Sequence, residues 1–219
     1  MHHYLIVHSL HAYRVHPDLI SKGEYRRDKV WRGIRKNDRV LYYAKWDGHR
    51  NEGKKLVGVF KVSAEGRINP KGDPWKGGLG YPIEPVLIPQ CPIDFSPRKF
   101  GLTHIKAANQ ITEQHYREVV LWMLGFEDLA PIYHETVVAL FVKMHSSLGY
   151  PRIRLMQSGF PDCLAVDTKG KQARIEFEVK ATDFDHKIED CDKVICWEDD
   201  WGSTAPSSKI ISLKEWIFG

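Results

Sequence analysis

Residues 174–180 alternate between charged and apolar side chains, Arg-Ile-Glu-Phe-Glu-Val-Lys. A strand with its period of two sorts them onto opposite faces. Ile175, Phe177 and Val179 then face a core, while Glu176, Glu178 and Lys180 project together from the other side. The pattern predicts a central strand, where three charged residues on one face are costly unless they meet partners or a metal ion. Phe160-Pro161-Asp162 stands just before an earlier strand at 163–167, and a turn at 168–171 folds the two strands into a hairpin. Counting back from that turn sets Asp162 roughly opposite residues 178–180, so carboxylates from two strands are expected to meet.

Such a cluster suits phosphodiester hydrolysis. Magnesium is hard and sheds water reluctantly, so one or two carboxylates commonly hold it while water and substrate oxygens complete its shell. Asp162 and Glu178 are the candidate ligands of Mg2+ or Mn2+. Lys180 is the ammonium expected to orient or stabilise an attacking hydroxide. Glu176 is left as either a neighbour of the site or plain surface.

The rest of the C-terminal part reads consistently with this. A helix is expected from 133 to about 147, with Val137, Val138, Phe141 and Met144 at helical spacing. Strands follow at 152–156, 163–167 and 173–180, then a short helical stretch near 185–191 and strands at 193–197 and 209–213. This part resembles the PD-(D/E)XK, or restriction-endonuclease-like, nucleases, through Pro161-Asp162 and then Glu178-Val179-Lys180 on hairpin strands. The resemblance covers about ninety residues of the chain. It implies an αβββαβ core with Asp162, Glu178 and Lys180 catalytic, and places Glu135 on the preceding helix as a carboxylate reaching the metal through water.

Charge divides along the chain. Residues 1–130 hold 21 Lys and Arg against 14 Asp and Glu, net +7, whereas residues 131–219 hold 11 against 14, net −3. A basic front half suits a polyanion, and an acidic back half suits metal ions. With 42% hydrophobic and 27% charged residues, the composition is that of globular protein. The 219 residues suit two modest domains, expected at 1–127 and 128–219 with the break near Gly125 to Pro131. No apolar run nears the ~20 residues a bilayer span requires, and no secretory signal is visible, so a cytoplasmic location with no membrane contact is expected. Cys91, Cys163, Cys191 and Cys196 lack the paired spacing of a zinc knuckle, and reduced, mostly buried thiols are expected.

In the front half, a strand is expected at 4–7, an Asn37-Asp38 turn feeds a strand ending in Tyr42 and Tyr43, and a strand at 55–62 pairs antiparallel with it. A Gly- and Pro-rich loop at 66–81, a strand at 84–89 and a helix at 112–124 capped by Thr112 complete it. Residues 1 to about 125 resemble PUA-like domains of the EVE type through Trp31, the segment Ile34-Arg35-Lys36-Asn37-Asp38-Arg39-Val40-Leu41-Tyr42-Tyr43, and the strand at 57–62; Asn37 stands where a glycine is usual. The resemblance implies a β-barrel with helices that binds nucleic acid, some relatives holding a flipped, modified base. Trp31, Tyr42, Tyr43 and Trp46 are then candidate stacking surfaces, and Arg32, Arg35, Lys36 and Arg39 candidate phosphate contacts.

The whole chain is expected to be mixed α/β. Its expected activity is that of a metal-dependent DNA endonuclease directed to a modified or damaged base, in restriction or repair. A non-catalytic nucleic-acid-binding protein of the same fold and an RNA-processing nuclease are the alternatives. Since one such site cuts one strand, double-strand cleavage would call for a homodimer.

Overall fold

The computed structural model describes residues 1–9, 24–26, 33–45, 54–68, 79–89, 91–103, 108–126, 128, 132–202 and 208–219. It divides into two compact units, Met1–Met123 and Leu124–Gly219. No helix among the described residues is long and apolar enough to cross a membrane.

In the first unit, eight strands make one mixed sheet: β1 His3–Ser9, β2 Glu24–Arg26, β3 Arg39–Lys45, β4 Lys55–Val62, β5 Arg67–Ile68, β6 Leu79–Leu87, β7 Ile93–Asp94 and β8 Ala108–Ile111. The main path runs β2-β6-β4-β3-β1-β8, with β5 on β6 and β7 on β4. β1 and β3 are parallel, and β3 pairs antiparallel with β4 as the sequence predicts. The expected barrel is not observed. Closure requires the two edge strands to pair, yet among the described residues β2 and β8 are joined only to β6 and β1, so the path stays open. Part of the expected loop at 66–81 is also strand, in β5 and the start of β6.

Asp38 fixes the turn that leads into β3. Its Oδ1 accepts from the His2 backbone N–H (2.7 Å) and its Oδ2 from that of Arg35 (2.8 Å). Asn37 takes a left-handed φ of 72° while its N–H donates to Val62 O at 2.8 Å. This is why a glycine suits the position, and Asn is one of the few other residues that tolerate it. Replacing Asn37 with Ala should lower the unfolding free energy of this unit by about 1 kcal/mol, whereas Asn37→Gly should change it by only a few tenths. Denaturant titration of the two variants checks the difference.

Helix α1, Glu113–Leu124, begins where predicted, with Thr112 Oγ1 accepting from the His115 N–H at 3.1 Å. Its Tyr116, Val119, Val120 and Leu124 are buried.

The second unit is a five-stranded sheet in the order β13-β12-β11-β10-β9. Its strands are β9 Arg152–Met156, β10 Cys163–Val166, β11 Gln172–Lys180, β12 Lys193–Glu198 and β13 Ile210–Ser212. Helix α2, His134–Met144, precedes the sheet, and a short α3, Leu213–Phe218, ends the chain. β11 is central, antiparallel to β10 and parallel to β12. The expected αβββαβ order holds except at its second helix, where two single 3-10 turns, Ala181–Asp183 and Ile188–Asp190, stand instead. Carboxylates cap this stretch locally: Asp183 Oδ2 accepts from the Lys180 N–H (3.2 Å), and Asp200 from the N–H and hydroxyl of Thr182. These bonds hold single turns where a continuous helix was expected.

The stripe Val137, Leu140, Phe141 and Met144 of α2 is fully buried, and the Phe141 ring lies 5.0 Å from that of Phe177 in β11. Cys163, Cys191 and Cys196 are buried free thiols, while Cys91, in the first unit, is exposed. Burial pushes Cys163 up to about 11 and Cys196 up to about 12, and raises Cys191 as well.

Candidate active site

The hairpin register decides which carboxylates meet. The connection between β10 and β11 is locked by Asp167, whose Oδ1 accepts from the N–H groups of Lys169 and Lys171 (both 2.8 Å), with Gly170 at φ 82°. This pairs Val166 with Gln172 and Cys163 with Ile175. Asp162 therefore falls beside Glu176, two to four positions short of the expected 178–180. The Phe177 N–H donates to Asp162 Oδ2 at 3.0 Å, and the Asp162 N–H reaches Glu176 Oε2 at 3.4 Å.

Gln157 secures the backbone that delivers Asp162. Its N–H donates to Asp162 O (2.9 Å), and its side-chain amide donates to Gly159 O (3.1 Å) and Pro161 O (3.0 Å). The Phe160–Pro161 peptide within this loop is cis.

Glu176 is thus part of the cluster and not plain surface. It is only 7% exposed, and burial together with the neighbouring Asp162 carboxylate pushes it up to about 7. Glu178 is half-buried. Desolvation raises it, His134 opposes that rise, and the carboxylates of Asp183, Asp162 and Asp185 add to it. Two carboxyl groups lifted by burial and by like charge have a direct consequence for stability. Below the ordinary range of a glutamate both folded and unfolded chains carry the proton, and above about 7 both have lost it, with the folded state bearing the cost. Stability should therefore fall between roughly pH 4.5 and 7. Glu176→Gln should flatten that fall and raise the unfolding free energy at pH 8 by on the order of 2 kcal/mol, measurable by denaturant titration at pH 5 and pH 8 in chelator.

The helical residue that reaches Asp162 is His134, whose Nε2 stands 3.4 Å from Oδ2. The expected helical carboxylate, Glu135, is exposed. One residue on a helix is a rotation of about 100°. His134 leads the buried stripe through Val137, Phe141 and Met144, whereas Glu135 shares its face with Val142, 47% exposed. The stripe carried that signal, since 134, 137 and 141 follow the i, i+3, i+7 spacing of a sheet-facing side. Lys180 ends β11, exposed and on the same side of the strand as Glu178 by alternation. His186 packs on Phe160 with ring centroids 4.3 Å apart, and His145 caps the end of α2.

The donor set fits a hard divalent cation. Asp162 Oδ1 accepts no hydrogen bond among the described residues, its partner oxygen Oδ2 being the one engaged. Glu176 and Glu178 add oxygen donors whose mutual repulsion a cation would relieve. Among the described residues no three His, Cys, Asp or Glu side chains close round a point as a cage would. An ion here would be held from one side, as magnesium commonly is, with water and substrate supplying the rest.

The expected base-reading residues of the first unit fare differently. Tyr42 and Tyr43 are 2% and 4% exposed, Tyr42 packing edge-on to Phe60 and Tyr43 to Phe95. Consecutive strand residues face opposite sides, and here both sides are covered, so neither ring offers a face to a base. Arg39 is also buried, at 5%, beside the phenol of Tyr116, and is not placed to meet phosphates. Arg35 and Lys36 are exposed at the turn. Trp31, Arg32 and Trp46 lie outside the described residues.

No protein-family model matches the chain, and no curated protein matches it. Among solved structures, it is similar to the protein Rpa0253 from Rhodopseudomonas palustris, at 17% identity and a TM-score of 0.39, over 61% of this chain and 100% of that one. It is similar to the protein PSPTO5229 from Pseudomonas syringae at 13% identity and a TM-score of 0.41, over 55% and 98% of the two chains. It is also similar to the Pho92 YTH domain, solved in complex with m6A, at 12% identity and a TM-score of 0.38, over 60% and 86%. At these values the likeness assigns neither a ligand nor an activity to this chain.

Proposed function

We propose that the second unit is the hydrolytic half of a divalent-metal-dependent nuclease of restriction-endonuclease-like architecture, acting on DNA. The observation that carries the reading is the Asp162 carboxylate at the end of a hairpin, with one oxygen engaged and the other not, beside the raised carboxyls of Glu176 and Glu178. Mg2+ or Mn2+ bound there would supply a Lewis acid for the phosphate and lower the pKa of a bound water. Asp162 and Glu178 would hold it. Glu176, squeezed against Asp162, would give up its proton when the cation binds and so add negative charge to the same point. The Lys180 ammonium, exposed at the end of the strand, would orient the attacking oxygen and offset charge building on the phosphate.

The first unit, in this reading, is a PUA-like nucleic-acid reader that brings the substrate to the second. The net charge of +7 over residues 1–130 and the exposed pair Arg35 and Lys36 support contact with a polyanion. A modified or damaged base is the feature such a reader would select.

The test is cleavage of modified and unmodified plasmid DNA with Mg2+, with Mn2+ and in chelator, with structured RNA as competitor. Cutting that requires the metal and is lost with Glu178→Gln is the expected result. DNA binding indifferent both to metal and to Glu178→Gln, with no cutting, would leave a binding protein of nuclease-like fold.

A further inference from the structure

The Asp162 carboxylate is gripped by one oxygen from two directions. The Phe177 N–H of β11 donates to Oδ2 at 3.0 Å, and Nε2 of His134, from the first turn of α2, stands 3.4 Å from the same atom. A single backbone donor leaves a carboxylate free to swing about the axis of that bond. A second contact from a separate element fixes its plane, and with it the direction of Oδ1.

The backbone of Asp162 is set independently, by the Gln157 N–H on its carbonyl and the Gln157 amide on Gly159 and Pro161. His134 is thus not needed to place the residue, only to orient its side chain. Its ring is 46% exposed, so little core packing depends on it.

We propose that His134 is a positioning residue that turns Oδ1 of Asp162 toward the bound cation, its Nε2 being spent on Oδ2 and not on the metal. This rests on the metal-dependent reading above. Partners that orient a ligand in this way commonly govern metal affinity by a factor of ten or more.

The experiment is an Mn2+ titration of the full chain followed by electron paramagnetic resonance of the free ion, paired with thermal unfolding in chelator. His134→Ala should weaken Mn2+ binding about tenfold and leave unfolding without metal unchanged. His134→Gln, which restores an amide donor at similar reach, should recover most of the affinity. Wild-type affinity in His134→Ala would overturn the positioning role. Loss in both variants, with no rescue by Gln, would make the imidazole a direct ligand and overturn it too. Absence of any Mn2+ binding by the wild-type chain is a separate result, since it removes the metal reading itself and the proposal with it.

Discussion

Asp162→Asn should abolish divalent-dependent cleavage, with a loss on the order of a thousandfold, while the second unit stays folded. The expectation comes from the two jobs of this side chain. One oxygen accepts the Phe177 N–H, and the other is left for the cation. Asparagine keeps an acceptor for the amide but removes the negative charge, so it separates the chemistry from the architecture. Asp162→Ala does not, because it leaves the Phe177 amide without its partner, at a further cost of about 1–3 kcal/mol. Single-turnover cleavage rates and circular dichroism on both variants check the pair. Rates within a few-fold of wild type for Asp162→Asn would remove Asp162 from the reaction.

Phe141→Ala should cost about 4 kcal/mol of unfolding free energy, against the 5–15 kcal/mol that typical domains possess in total. The ring is fully buried and packs on Phe177 at 5.0 Å and on Tyr150 at 6.2 Å. Phe177 lies between Glu176 and Glu178 in sequence and gives its N–H to Asp162, so the cavity would open directly behind the acidic face. Metal affinity should fall along with stability. Urea titration gives the first number, and a loss below about 1 kcal/mol would show that the helix and sheet collapse to refill the space.

Much of the second unit was legible in the sequence because its signals are local. Alternation at 174–180 gave β11, the Asp167 to Gly170 turn gave the hairpin, and the stripe on α2 gave the helix and its buried side. Register was harder, since a shift of two residues preserves every inward and outward assignment and changes only which carboxylates are neighbours. That is how Glu176 replaced Glu178 as the partner nearest Asp162. Facing on the helix failed for a related reason, a single residue separating His134 from Glu135. In the first unit, Tyr42 and Tyr43 look alike as base platforms or as core, and only the sheet's two covered sides distinguish them. Closure into a barrel depends on whether distant edge strands meet, which no local pattern encodes.

The four thiols offer an experimental handle. Three are sealed in the second unit, with burial holding each toward the unreactive protonated form, and the fourth, Cys91, faces solvent in the first. A maleimide dye should therefore attach at one place on the unaltered chain. Fluorescence anisotropy could then follow oligonucleotide capture without engineered labels, and without touching the carboxylates on which hydrolysis would depend.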